Sequence, residues 1–278
     1  MASPAAPIAP YSTLDRVRDG LSEVGARLWR PPEVPTLMHV THAKAGSSWV
    51  SSVLERLFRS RCAPRGELAA PGGFARHVFE PGRVYRAMFM SRDDFMAHPE
   101  LREIQRFVIL RDLRDTLVSS YFSVKISHST EVALPKMLER REVLRSVSKE
   151  EGLLYMMENV TARVGALQRS WLGHGEIDLR YEDMVADPLR FFRNLLLERL
   201  HLPISRSALD RAVRRTHFGT VYGRQMGEED VNSHGRRGLP NDWRNHFTPE
   251  LRRKFGEKYA DLLVLTGHEK DDNWVTRD

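Results

Sequence analysis

Between an apolar run, Val34-Pro35-Thr36-Leu37-Met38-His39-Val40-Thr41, and an amphipathic one, the chain carries the nonapeptide Thr41-His42-Ala43-Lys44-Ala45-Gly46-Ser47-Ser48-Trp49. The first run follows the Pro-Pro break at 31–32 and reads as a short strand. In the second, Trp49, Val50, Val53, Leu54, Leu57 and Phe58 recur at helical spacing. The chain must therefore turn from strand to helix through a loop holding a lysine, a glycine and two hydroxyl residues. Gly46 lets the backbone approach an oxyanion, the amides of the first helical turn point at it, and Lys44, Ser47 and Ser48 add donors. The same residues would equally make an ordinary helix cap beside a solvated lysine. Because Lys44 precedes the loop's glycine, no G-x-x-x-x-G-K-S/T exists, which disfavours the magnesium triphosphate chemistry of ordinary ATPases.

Farther along, short apolar runs alternate with helical patterns. Val84 to Met90 reads as a strand, Arg92 to His98 as a short helix, and Phe107-Val108-Ile109-Leu110 as a buried strand ending at Arg111-Asp112, with a helix from Asp115. Glu131 to Glu151 is highly charged, contains Pro135 and reads as a mobile helical excursion. Leu153 to Leu172 reads as one long helix before the strand Ile177 to Tyr181. Helices are expected over Pro188 to Leu200 and Ser205 to Thr216. A glycine-rich, charged segment from Gly219 to Asn241 precedes a last helix, Pro249 to Leu265, capped by Thr248. This alternation predicts an α/β fold of three layers, a central, mostly parallel sheet flanked by helices. In such sheets ligands lie beyond the carboxyl ends of the strands, where Lys44 and Arg111 would both emerge.

Composition narrows the ligand. At 278 residues, 41% hydrophobic and 29% charged, the chain can bury one substantial core, so residues 13–278 are expected to form a single domain behind an Ala/Pro-rich disordered tail over 1–12. Leu14, Val17, Leu21, Val24 and Leu28 mark one apolar helical stripe, expected to dock on the body, although the seam of a homodimer would give the same pattern. Lys and Arg number 43 against 37 Asp and Glu, a net charge of +6, with a pI near 9.6. That balance favours an anionic ligand. Scattered basic residues, without zinc spacing or an aromatic RNA-binding motif, point to a small phosphorylated molecule rather than nucleic acid. One cysteine, Cys62, excludes an internal disulfide and suits a reducing, cytoplasmic setting, and no apolar segment approaches the roughly 20 residues of a membrane span.

Ser119 stands eight residues after Arg111, so a guanidinium at a strand end and a hydroxyl within the next helix could together hold a second phosphate. Taken alone, Arg111, Asp112, Arg114 and Asp115 would read as surface ion pairs worth about 0–1 kcal/mol each.

Across roughly Leu37 to Trp274 the chain resembles the sulfotransferases that use 3′-phosphoadenosine 5′-phosphosulfate (PAPS) and release 3′-phosphoadenosine 5′-phosphate (PAP), a family with P-loop-like nucleotide-binding topology. Thr41 to Trp49 resembles its 5′-phosphosulfate loop, and Arg111 with Ser119 its 3′-phosphate motif. Leu179-Arg180-Tyr181-Glu182-Asp183-Met184 is similar to its tyrosine-containing strand end, and Gly235 to Thr248 to its late basic-glycine and Asp-Trp motif. The resemblance implies that Lys44, Gly46, Ser47, Ser48 and Trp49 surround the 5′ end and the adenine, with Trp49 stacking on the base. It implies that Arg111, Ser119, Arg236, Arg237 and Gly238 bind the 3′-phosphate, and that Tyr181, Thr216 and Phe218 touch the nucleotide. Asp242 and Trp243 read as structural.

Sulfuryl transfer needs in-line geometry and stabilisation of charge on the leaving oxygen, a role for Lys44 that would dispense with a metal. The hydroxyl acceptor, a small molecule, must also lose a proton. Family members carry a histidine on the strand before the Arg111 strand, yet Val84 to Met90 has none, and Met88 stands in its place. His77 is the favoured replacement base, followed by Glu80, with His42, His128 and Asp94 behind them. Two other functions stay open: a nucleotide-dependent phosphotransferase (kinase), and a nucleotide-binding protein without catalysis.

Overall fold

Residues 34–64, 77–128, 135–176 and 178–276 are described by a computed structural model of the chain. The expected tail, the apolar stripe Leu14 to Leu28 and Ile177 lie outside the described residues. Strand β1 (Leu37–Thr41) leads through the lysine loop into helix α1 (Ser47–Phe58). Strand β2 (Val84–Met88), helix α2 (Arg92–Met96) and strand β3 (Gln105–Leu110) follow, then helix α3 (Leu113–Phe122). Helices α4 (Pro135–Ser146), α5 (Lys149–Met156) and α6 (Ala162–Trp171) precede the short strand β4 (Asp178–Arg180). The carboxyl half adds α7 (Tyr181–Ala186), α8 (Pro188–Arg193), α9 (Arg206–Thr216), α10 (Phe218–Tyr222) and α11 (Pro249–Leu265).

The four strands are parallel, in the order β2-β1-β3-β4. Alternation along them explains the layers, because successive side chains leave a strand on opposite faces. Leu37, Phe107 and Ile109 pack with α1, α7, α8 and α9 on one face. Met38, Val40, Val108 and Leu110 pack with Phe95 of α2 and Trp171 of α6 on the other. Both faces are covered, as the apolar runs required. A third apolar cluster joins α3, α5 and α11 around Trp243 and Trp274.

Several boundaries differ from the sequence reading for local reasons. The long helix begins earlier, at Lys149, because Ser148 and Glu151 form a reciprocal capping box, and it widens over Met157–Thr161 before continuing. Tyr181 opens α7 instead of ending the strand. Strand β2 stops at Met88, where its register with β1 slips between Met38 and Val40 and Ala87 takes φ 57°; a residue inserted into one strand of a ladder produces such a slip. Part of the charged stretch from Glu131 to Glu151 forms α4, and Arg141 on it is buried. Among the described residues no helix is long and apolar enough to cross a membrane.

Candidate functional site

Three strands end at one edge of the sheet, and each is followed by a residue that the sequence singled out. Lys44 follows β1, Arg111 follows β3 and Tyr181 follows β4. In the β1–α1 loop, Lys44 has φ 72° and Gly46 φ 76°. Left-handed backbone at Gly46 favours glycine, and a Cβ there would stand 2.7 Å from Met184 Cε and 3.0 Å from the Tyr181 ring. Gly46 occupies the cap position of α1, and no side chain caps the helix. The helix-cap reading of Ser47 or Ser48 therefore fails. The first-turn amides of α1 are left to face the loop, where the helix end favours an anion. Burial, followed by the Arg111 and Arg236 guanidinium groups, lowers the Lys44 pKa to about 8.

Arg111 is held from several sides. Its Nη1 donates to the Lys44 carbonyl at 2.9 Å, Nη2 lies 3.5 Å from Asp115, and the guanidinium stacks 4.5 Å above the Tyr181 ring. Its buried Nε has no hydrogen-bond partner among the described residues. A buried donor left unpaired costs about 1–3 kcal/mol, so it is a natural receiver for a ligand oxygen. His42 braces the same junction. Its Nδ1 bonds the Ala43 carbonyl at 2.9 Å, while Nε2 accepts from the Arg111 amide at 3.2 Å and meets Gln168 Nε2 at 2.9 Å. Burial lowers the His42 pKa to about 4, and Arg111 contributes in the same direction, so this imidazole is neutral.

The charges that taken alone would read as surface ion pairs prove to be buried. Arg114 donates to both Asp112 oxygens and, at 2.6 Å, to Glu269, between the Trp243 and Trp274 rings at 4.0 and 4.6 Å. Asp115 accepts the amides of Asn241 at 2.7 Å and Trp243 at 2.9 Å. Burial raises its pKa, against the pull of Arg111. These contacts clamp the late loop onto the start of α3. Sequence reasoning missed Asp115 in this role; its place in the first turn of α3, four residues after Arg111, is the signal that could have found it.

The remaining residues line the same edge. Trp49, half-buried, donates from Nε1 to Thr216 Oγ1 at 3.2 Å and meets His217 edge-on at 6.0 Å. Gly238 presses on Phe218, whose ring a Cβ would approach to 2.8 Å, and the Arg224 guanidinium lies 4.9 Å from that ring. Arg236 and Arg237 both pair with Asp242, and Arg236 also rests 4.3 Å from the Phe122 ring. Burial alone would raise the Asp242 pKa, but bonds from His246, Arg236 and Asn245 hold it well below the usual carboxylate range. Asp242 thus organises the two arginines, and Arg237 Nε has no partner among the described residues. Ser119 is half-buried on α3.

His77 is not brought to this edge. It packs edge-on against Phe79 and Tyr85 at 5.0 and 5.8 Å, and Phe79 in turn meets His98 ahead of β3. Glu80 pairs with Arg83, whose carbonyl accepts the Leu37 amide where β1 begins. Both therefore sit at the amino-terminal end of the strands, opposite Lys44. The chain order that suggested them places them before β2, and a strand separates its two ends. Asp94 is committed to capping α2 through Ser91. Met88 is buried in the sheet.

The family model of the sulfotransferase domain matches residues 102–267, more than half of the chain. The chain belongs to that family. Arg111, Ser119, Tyr181, Thr216, Phe218 and Arg236 to Gly238 lie inside the matched span. The Lys44 loop lies before it and is joined to it by the Arg111 bond to the Lys44 carbonyl. The fold is similar to that of mouse sulfotransferase SULT7A1 complexed with PAP, with a TM-score of 0.61 at 18% identity over 86% of this chain and 87% of that one. A retinol dehydratase in complex with retinol and PAP aligns with a TM-score of 0.48 at 14% identity, over 88% of this chain and 86% of that one. No curated protein sequence matches the chain significantly.

Proposed function

We propose that this sulfotransferase-family chain transfers a sulfuryl group from PAPS to the hydroxyl of a small acceptor by in-line displacement. The observation that carries the reading is the uncapped start of α1 beside the Lys44 ammonium and the Arg111 guanidinium with its unpartnered Nε. These donors suit a ligand with two phosphates. Lys44, Ser47, Ser48 and the α1 amides would hold the 5′ end, with Trp49 against the base. Arg111, Ser119, Arg236, Arg237 and Gly238 would hold the 3′-phosphate, whose fork-like contacts arginine suits better than lysine. Tyr181 would form the floor between them, with Thr216 and Phe218 at the nucleotide's side.

Bound PAPS supplies an activated sulfuryl group on its 5′-phosphate. Lys44 stabilises the charge that gathers there as the group departs, the kind of preorganised interaction worth about 100- to 1,000-fold in rate. With an ammonium in that position the reaction needs no metal, so turnover should persist in EDTA. The single cysteine, Cys62, fits a cytoplasmic setting for such an enzyme.

A thermal-shift comparison of PAP, ATP and 5′-AMP tests the reading, because a ligand bound by the native state alone raises the midpoint. PAP should give the largest shift, and Arg111→Lys should reduce it. Equal shifts with PAP and 5′-AMP would remove the second phosphate site, and a magnesium-dependent shift with ATP alone would favour a kinase.

A further inference from the structure

The proton released by a hydroxyl acceptor needs a receiver beside the sulfuryl group. Four of the side chains that chain proximity offers are engaged elsewhere: His77 and Glu80 at the opposite strand ends, Asp94 in a cap, and His42 inside the β1–β3 junction. His128 is placed differently. It closes a wide turn over Ser123–Ser127 that prolongs α3, its amide donating to the Ser123 carbonyl at 2.9 Å. Arg141 reaches this turn from α4 and is only 4% exposed. Its Nε donates to the Val124 carbonyl at 2.7 Å and its Nη2 to the His128 carbonyl at 2.6 Å. A buried guanidinium bonded to two carbonyls of one turn makes that turn a fixed platform instead of a fraying helix end.

The platform adjoins the site. Phe122, at its base, carries the Arg236 guanidinium on its ring, and Arg236 is close enough to Lys44 to lower its pKa. His128 itself has its pKa lowered by burial first, then by Lys44 and by Arg141. His234, exposed on the late loop, is lowered first by Lys44 and also by His128. Three cationic or titratable groups from three elements thus face His128: Lys44 from the β1–α1 loop, Arg141 from α4, and His234 from the late loop.

We propose that His128 is the base of the reaction, a catalytic residue that takes the acceptor's proton, and that Arg141 is its positioning residue. This rests on the donor reading above. The acceptor oxygen forms the new S–O bond, and the S–O bond to the 5′-phosphate breaks with its electron pair passing to that phosphate beside Lys44. The hydroxyl proton moves to the neutral imidazole of His128. Burial, with the surrounding cations, favours the unprotonated ring, the form that can accept a proton. His234 is the weaker candidate, because it precedes Arg236 and Arg237 on the loop assigned to the 3′-phosphate.

The test combines histidine titration by NMR with kinetics. The His128 ring signal, assigned by its loss in His128→Gln, should titrate at higher pH in Lys44→Met and on addition of PAP, since each removes or offsets the facing cation. With PAPS as donor, His128→Gln should lose about 100- to 10,000-fold in kcat toward an unactivated alcohol such as hexanol. The loss should be much smaller toward 4-nitrophenol, which ionises unaided, and the PAP thermal shift should be retained. Arg141→Met should lower kcat at constant KM for PAPS, and Arg141→Lys should restore part of it. A His128 signal indifferent to both Lys44→Met and PAP overturns the placement. A His128→Gln rate equal to that of the wild type overturns the base while leaving the donor site intact. A wild type that binds no PAP removes the donor reading and the base with it.

Discussion

The fold alters the chemistry of Lys44 strongly, with its pKa lowered from 10.5 to about 8 by burial and by the Arg111 and Arg236 charges. Between those two values the unfolded chain binds more protons than the native one, so Lys44's contribution to stability rises with pH across that window. Below pH 8 the buried charge is a native-state cost that a bound phosphate offsets. PAP affinity should therefore weaken as pH rises through about 8, while Lys44→Arg, which stays charged, should move that limb to higher pH. A thermal-shift series from pH 6.5 to 9.5 with constant PAP, a range chosen to span roughly a unit or more on each side of that value, checks both arms. At Gly46 the constraint is steric. Gly46→Ala must adopt left-handed backbone at about 1–2 kcal/mol and push its methyl toward Met184 and Tyr181. A lower melting temperature and a lost PAP shift are expected; an unchanged PAP shift would mean that the loop tolerates the methyl. The strand-to-helix turn around 44–49 was legible because loop chemistry is local. His77 was misplaced because nearness in chain says little about which end of a strand a side chain serves.

Among the elements, α11 was the most legible. Thr248 accepts from the Leu251 amide, Pro249 opens the helix, and Leu251, Phe255, Tyr259, Leu262 and Leu263 form its buried stripe, all of it signalled within one short segment. Helix α4 was legible as a helix but not in its packing, since a charged stretch reads as a mobile excursion while Arg141 is buried against carbonyls of another element. The start of α3 is similar. Arg114 pairs with Asp112 and Glu269 between two tryptophans, and Glu269 and both tryptophans come from more than a hundred residues away. Arg114→Met should leave those carboxylates uncompensated and destabilise the protein by about 3–5 kcal/mol, measured by urea unfolding. A loss below about 1 kcal/mol would put the pair in the class of exposed ion pairs.

At the scale of the whole molecule, the site is an edge where segments distant in sequence meet, and Asp115 is the joint between the early and late halves. Removing its carboxylate leaves the amides of Asn241 and Trp243 without their acceptor and frees the segment that carries Arg236 and Arg237. Asp115→Ala should raise the KM for PAPS and shrink the PAP shift while far-UV circular dichroism stays the same, and Asp115→Asn should fall between them. Full retention of the KM would show that the late loop holds its place without this contact. The sequence by itself determined the α/β class, the strand-loop-helix junction and most of the residues that line the edge. Strand length, helical period, glycine and charge act over a few neighbouring positions, and their effects survive in any fold that keeps those elements. The tertiary structure alone decided that Arg111 would bond the Lys44 carbonyl, that Arg114 and Asp115 would be buried, that Met88 would turn into the sheet, and that His77 would face away while His128 was held on the turn that Arg141 fixes. Those outcomes depend on burial and on distances between residues tens of positions or more apart, which are fixed only when the sheet closes and the helices pack on its two faces.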